Sequence, residues 1–150
     1  MAKDTIFLEV ATPDAVIFRG EAVALLVPAS EGYLGVLPGH APLLASLRPG
    51  LFHFDLPSGE SRWFAVAGGF LEVTPERTTL LADAVERPDE IDVARAEVAL
   101  ARAAEELTTP LSAWARERAE AARQRAKNRL AVAARRGRAA ETGTEDLHAK

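Results

Sequence analysis

Between Gly32 and Gly50 the chain reads GYLGVLPGHAPLLASLRPG, and between Ala65 and Val73 it reads AVAGGFLEV. Glycines and prolines stand between short apolar runs, too closely spaced for a helix to persist, so this part of the chain is restricted to strands joined by turns. The pattern extends from Thr5 to Asp83. Thr5 to Val10, Ala22 to Val27, Leu51 to Leu56, Trp63 to Val66 and Phe70 to Val73 are rich in β-branched and aromatic residues. The breaks between them contain Thr12-Pro13-Asp14, Arg19-Gly20, Pro57-Ser58-Gly59-Glu60, Gly68-Gly69 and Thr74-Pro75-Glu76-Arg77. Pro57 to Glu60 has the composition of a hairpin turn. Regular turn signals without a helical period predict a β-sandwich or flattened barrel over residues 1–88.

At Pro88 the pattern changes. Asp89 is placed to cap a helix, with Glu90 and Asp92 in its first turn, where carboxylates suit the positive end of the helix dipole. Ile91 to Leu107 is alanine-rich, without Gly or Pro. Thr108-Thr109-Pro110 then predicts a stop and a restart, Thr109 as cap and Pro110 in the first helical position. The second helix is expected from about Pro110 to Arg136, ending at Gly137. So short a connection predicts an antiparallel two-helix hairpin over residues 89–137. In the second helix Leu111, Ala115, Ala119, Ala122, Ala126, Leu130 and Ala133 recur at three- and four-residue steps. Alanine removes little apolar area from water, so the hairpin is expected to be marginal alone and able to leave its docking surface. Residues 138–150 are polar, small and aperiodic, the composition of a disordered tail.

Charge divides along the same line. Residues 1–90 carry a net charge of -7 and residues 91–150 a net +3. Arg123, Arg125, Lys127, Arg129, Arg135, Arg136 and Arg138 follow Glu120 with no acid before Glu141, so this stretch seeks negative charge. Nucleic acid is not the expected partner, because the sandwich is acidic and no aromatics interleave with the basic residues. No apolar run approaches the roughly 18 residues that cross a bilayer, and MAKDTIFLEV lacks the uninterrupted apolar stretch of a secretory signal. Any membrane association is therefore expected to come through another protein. The chain has no cysteine, hence neither disulfides nor a thiolate for catalysis, as suits a reducing cytosol.

No enzyme signature is present. A glycine-rich loop followed by Lys-Ser or Lys-Thr is missing, and His40, His53 and His148 are scattered without metal-ligand spacing. Ser30 beside Glu31 reads as turn chemistry, and Gly68-Gly69 as relief of crowding or a bulge rather than a phosphate cradle. The helical arginines differ. Arg95 and Arg102 share one face of the first helix, and Arg125 and Arg129 one face of the second. Asp92 is available to Arg95, and Glu105 and Glu106 to Arg102, whereas Arg125 and Arg129 have no acid three or four residues away. Folded antiparallel, the helices could bring four guanidinium groups together opposite a phosphate chain or an acidic protein surface. Spacing alone favours the plainer reading of a solvated basic face.

The run from Gly32 to Gly50 with AVAGGFLEV closely resembles the signature stretch of the epsilon subunit family of F-type ATP synthases, called delta in mitochondria. The likeness continues to about Arg136. Ile91-Asp92-Val93-Ala94-Arg95-Ala96 is similar to the family's I/L-D-x-x-R-A motif, and Arg125 to Leu130 to the second arginine segment of bacterial members that bind ATP between folded helices. The resemblance implies Glu86, Ile91, Asp92, Arg95, Ala96, Arg102, Arg125 and Arg129 as an ATP site. The arginines would hold phosphates, while Asp92 and the surroundings of Ile91 and Ala96 would take base and ribose.

It also implies a non-catalytic rotor subunit at the cytoplasmic face of the cell inner membrane, with ATP as a regulatory ligand and no required cofactor. The sandwich would meet gamma and the membrane c-ring through the loop around Glu31, Tyr33, His40 and Pro42. Tyr33 stands where family members often place an acid. The hairpin would extend beside gamma, its basic helix meeting the beta and alpha subunits, and so oppose ATP hydrolysis. The alternative is a stand-alone nucleotide-sensing or protein-interaction module.

Overall fold

A computed structural model describes residues 4–136. Eight strands precede the helices: β1 (Ile6–Ala11), β2 (Val16–Ala22), β3 (Ala24–Ala29), β4 (Gly32–Val36), β5 (Leu43–Asp55), β6 (Ser61–Val73), β7 (Thr78–Ala82) and β8 (Val85–Glu86). They form one hydrogen-bonded sheet in the order β2-β1-β7-β6-β5-β3-β4, with β8 also on β6. Only β1 and β7 run parallel. Ile6, Leu8 and Val10 of β1 share one buried cluster with Phe52 and Phe54 of β5, although two strands lie between β1 and β5 in the sheet. The sheet therefore folds over on itself into a β-sandwich, and an antiparallel pair of helices follows. Phe18, Phe52, Phe54 and Phe64 stack through this core, with ring centroids 4.6 to 5.9 Å apart.

Several expected breaks do not interrupt strands. Arg19-Gly20 lies within β2, and a boundary falls at Val23 instead, splitting the expected Ala22 to Val27 strand. The expected Leu51 to Leu56 strand is, as far as Asp55, the second half of β5, which runs through Pro49-Gly50. Trp63 to Val66 and Phe70 to Val73 are one strand, because β6 continues through Gly68-Gly69 with its register to β5 unchanged from Leu43↔Val73 to Asp55↔Ser61. No bulge forms there, and crowding is the reason for glycine. Gly69 has φ +130°, and a Cβ on it would lie 2.0 Å from the Leu81 carbonyl oxygen. The hairpin between β5 and β6 turns as its composition predicts: Gly59 N–H donates to Leu56 O at 2.9 Å, with φ +93° at Gly59.

The helices also start elsewhere than expected. Pro88–Glu90 forms a 3₁₀ turn, and Ile91 is extended and buried, so Asp89 caps nothing. Helix α1 (Val93–Glu106) is capped instead by Asp92, whose carboxylate accepts the Arg95 N–H at 3.0 Å. Thr108 and Thr109 donate their hydroxyls back to Glu105 O and Glu106 O at 2.6 and 2.8 Å. Thr109 is thereby spent on closing α1, and Pro110 lies in the connection. Helix α2 (Ala113–Ala133) starts at the next hydroxyl, Ser112, which accepts the Ala115 N–H at 3.2 Å. The connection is correspondingly longer than expected, and α2 stops short of Arg136. The expected end at Gly137 and the 138–150 tail lie outside the described residues.

Ala96 and Ala103 of α1, and Ala119, Ala126 and Ala133 of α2, are buried. Leu111, expected in this stripe, belongs to the connection. The end of α2 packs on the outer face of β5 and β6, where Leu51 pairs with Ala65 and His53 with Trp63. Ile91, Val132 and Ala133 cover Leu51 and Ala65 in a small second core. This explains why Phe64, Ala65 and Val66 are buried consecutively, against the alternation of a one-sided strand. The Arg135 guanidinium lies over the Trp63 ring at 3.8 Å, and Trp63 stacks on His53 at 4.1 Å. Arg136 donates to Pro88 O and Ile91 O, tying the end of α2 to the start of the hairpin.

His53 Nδ1 is buried without a hydrogen-bond partner among the described residues, 4.0 Å from the Asp55 carboxylate. Burial lowers its pKa from 6.5; Asp55 opposes the shift and Arg135 adds to it. The folded pKa lies below the unfolded value, so the unfolded chain binds more protons as pH falls. The contribution of neutral His53 is complete above about pH 6.5 and is lost as pH drops below it. Thermal melts between about pH 7.5 and about 5.5 should therefore cost the wild type more than His53→Gln. Parallel losses in the two proteins would remove His53 from the pH response.

Gly69→Ala adds a clash with backbone to an unfavourable φ. It should lower unfolding free energy by about 2–4 kcal/mol in urea titrations followed by circular dichroism. A midpoint equal to wild type would mean that β6 and β7 separate at this point without penalty.

Candidate functional site

The hairpin is bent back on the sandwich so that α1, α2 and the end of β8 enclose a cleft of about 620 Å³. α1 contributes Arg95, Ala96, Val98, Ala99 and Arg102; its cap contributes Asp92, and the preceding turn Glu90. Glu86 of β8 and Arg129 of α2 complete the lining. Arg95 and Arg102 share the cleft because they stand two helical turns apart on one face of α1. Ala96 is buried in the helix seam, so the chain of α2 lies close behind it.

The ion pairs differ from those that local spacing suggests. Asp92 spends its carboxylate on the Arg95 backbone N–H rather than on the guanidinium. Neither Arg95 nor Arg102 has a carboxylate within 4.0 Å among the described residues. Arg129, which has no acid nearby in sequence, donates through Nε to Glu86 Oε1 at 2.7 Å. Glu90 is held by Arg87, both through its backbone N–H at 2.9 Å and by the guanidinium at 3.4 Å. Three carboxylates and three guanidinium groups line the cleft, but Glu86, Glu90 and Asp92 are each engaged. Two arginines facing one concavity are left uncompensated, an arrangement suited to an anion.

Of the eight residues expected to form a nucleotide site, Glu86, Asp92, Arg95, Ala96, Arg102 and Arg129 line this cleft. Ile91 and Arg125 do not. Ile91 is 4% exposed and its side chain belongs to the core beneath α2. Arg125 is exposed on α2 outside the cleft. Glu90, Val98 and Ala99 were not expected there. Val98 and Ala99 follow from the one-face arithmetic that groups Arg95 with Arg102, since each lies three or four residues from both.

The residues expected at a rotor interface fall in two places. Glu31 and Tyr33 stand at the start of β4, where Tyr33 is half exposed, its hydroxyl accepting the Leu51 N–H at 3.2 Å. His40 and Pro42 follow the other end of β4 and line a groove of about 670 Å³ with Leu37, Val73 and Arg77. His40 Nδ1 bonds the Ala41 carbonyl at 2.8 Å, which makes that nitrogen the donor. No cluster of His, Cys, Asp or Glu suited to a metal ion occurs among the described residues.

Residues 5–88 match the family described as ATP synthase, Delta/Epsilon chain, beta-sandwich domain. Residues 89–134 match the ATP synthase, Delta/Epsilon chain, long alpha-helix domain. An ATP synthase epsilon chain of Solibacter usitatus is 46% identical over 130 residues, covering 87% of this chain and 96% of the relative. That of Herpetosiphon aurantiacus is 44% identical over 126 residues, covering 84% and 92%. A chain in the cryo-EM structure of the Euglena gracilis mitochondrial ATP synthase, OSCP/F1/c-ring, has a TM-score of 0.76 at 23% identity, over 85% of this chain and 81% of that one. This last likeness concerns the fold alone. Matched through both its sandwich and its helices, and closely related in sequence to bacterial epsilon chains, the chain belongs to the ATP synthase delta/epsilon family.

Proposed function

We propose that the chain is the non-catalytic rotor subunit of a bacterial, proton-translocating F-type ATP synthase, with a hairpin that brakes ATP hydrolysis and a cleft that takes ATP as its regulatory ligand. The sandwich couples gamma to the membrane c-ring, and the extended hairpin engages the beta and alpha subunits. The chain sits peripherally at the cytoplasmic face of the inner membrane, through the complex. In support, no helix among the described residues is long and apolar enough to cross a membrane.

The observation that carries the regulatory part is the composition of the cleft. Its walls come from α1, α2 and the edge of the sandwich, so it exists only while the hairpin is folded back. A ligand confined to that state shifts the hairpin equilibrium toward it, by about 2.7 kcal/mol at a hundred times its dissociation constant. Arg95 and Arg102 hold the phosphates. Val98 and Ala99 offer apolar surface to the base, and Asp92, held by its cap bond, faces the ribose side. Ile91 acts indirectly, by fixing the start of α1 on the core.

The large core lies wholly between Ile6 and Val85, so a chain ending at Glu90 retains it. Adding the full chain or this shorter one to the cognate alpha-beta-gamma complex tests the brake. Hydrolysis should be inhibited by the full chain alone and relieved as ATP rises. Equal behaviour of the two chains would leave the hairpin without a regulatory role.

For the cleft, Arg102→Ala removes an uncompensated guanidinium and should weaken ATP binding about 10- to 100-fold by calorimetry. Arg125→Ala should leave it within about twofold, since Arg125 stands outside the cleft. Equal effects of the two substitutions would relocate the phosphates to the outer face of α2.

A further inference from the structure

A third concavity, of about 420 Å³, opens where β2, β6, the 3₁₀ turn and the end of α2 meet, and it shares no described lining residue with the helix cleft. Arg62 and Arg87 reach it from the sandwich side, and Arg135 and Arg136 from the turn that follows α2. Asp89 is the one carboxylate in its lining among the described residues. Arg62 is paired with Glu60 at 3.0 Å and Arg87 with Glu90 at 3.4 Å, but neither carboxylate lines the concavity. Arg135 and Arg136 have no carboxylate within 4.0 Å among the described residues.

These last two side chains are held in place without being neutralised. Arg135 lies over Trp63 and donates Nη1 to Ala131 O at 2.8 Å. Arg136 donates Nε and Nη2 to backbone carbonyls of Pro88 and Ile91. A guanidinium carries five N–H groups, so each retains donors beyond these bonds. Docking the hairpin thus brings two unpaired guanidinium groups beside two ion-paired ones and the Asp89 carboxylate, a local positive excess that a multivalent anion would offset. We propose that this concavity is a binding site for a compact phosphate anion, which bridges Arg62 and Arg87 of the sandwich to Arg135 and Arg136 of the hairpin. Phosphate held there secures the docked hairpin independently of whatever occupies the helix cleft. Its volume suits inorganic phosphate, pyrophosphate or the phosphate chain of a nucleotide.

Trp63 lies beneath Arg135 and reports on the site, and Trp114 is exposed at the far end of α2. In the full chain carrying Trp114→Phe, pyrophosphate added at constant ionic strength should change Trp63 fluorescence saturably, with half-saturation below about 1 mM. Arg62→Gln with Arg87→Gln should weaken that response at least about tenfold while leaving the circular dichroism spectrum intact. Arg102→Ala should leave it unchanged, because Arg102 belongs only to the helix cleft. Inorganic phosphate and ATP titrated into the Arg102→Ala protein separate the sources: saturation by phosphate or pyrophosphate supports a free anion, and saturation by ATP alone overturns the compact-anion site. A linear, salt-like response, indifference to the Arg62 and Arg87 substitutions, or loss of binding in Arg102→Ala would each overturn it as well. None of these outcomes depends on whether the hairpin brakes hydrolysis.

Discussion

Everything in the carboxyl-terminal half depends on how little apolar surface the two helices can offer each other. Their seam is built from Ala96 and Ala103 on one side and Ala119 and Ala126 on the other. Alanine lets helices approach closely but buries about one methyl group per contact, so such a seam fixes geometry better than it supplies free energy. The helices need a third surface. They find it on the outer face of β5 and β6, where Leu51 and Ala65 receive Ile91, Val132 and Ala133. The docked hairpin is therefore a property of the whole chain, and its position is set by the last turns of α2 rather than by the helix pair.

The docking surface also explains why polar groups cluster there. Beyond Val132 and Ala133 the chain supplies Arg135 and Arg136, and the contacts they make are with a tryptophan face and with carbonyl oxygens. Such contacts orient charge without cancelling it. Asn128 is buried in the same helix, with its Oδ1 accepting from Gln124 and its Nδ2 without a partner among the described residues. Polar groups held this way contribute less to stability than apolar packing would, because part of their hydration is not replaced. The docking surface thus holds far less apolar packing than the phenylalanine core of the sandwich.

The sequence made the division at Pro88 legible, because alternation and turn residues give way there to alanine at helical spacing. It also made the shared faces legible: Arg95 and Arg102 do line one cleft. Its failures have physical causes. Gly68-Gly69 and Pro49-Gly50 look like strand ends, yet in a folded-over sheet long strands bend and pass close to neighbours, and such residues serve within them. Thr109 looked like a cap because hydroxyl spacing does not say in which direction the bond runs; here both threonines close α1, and Ser112 opens α2. Arg129 looked unpaired because its partner Glu86 lies 43 residues away. Arg135 over Trp63 left no periodic trace, since a cation over a ring across two domains has no local spacing to reveal it.

The long-range bond between Arg129 and Glu86 joins the helices to the edge of the sandwich, and so it links the cleft to docking. A phosphate entering the cleft would find Arg95 and Arg102 without carboxylate partners among the described residues, but Arg129 already holds a carboxylate at 2.7 Å. If Arg129 turned to the phosphate, Glu86 would lose its partner, and the gain would be reduced by that loss. If it stays on Glu86, the ligand relies on α1 alone while α2 remains fastened to β8. The second arrangement keeps every existing contact of the docked state and adds to it. Yet a nucleotide held by α1 alone would bind the folded and the extended hairpin alike, so selectivity for the folded position requires a further contact across the cleft, to its α2 or β8 wall.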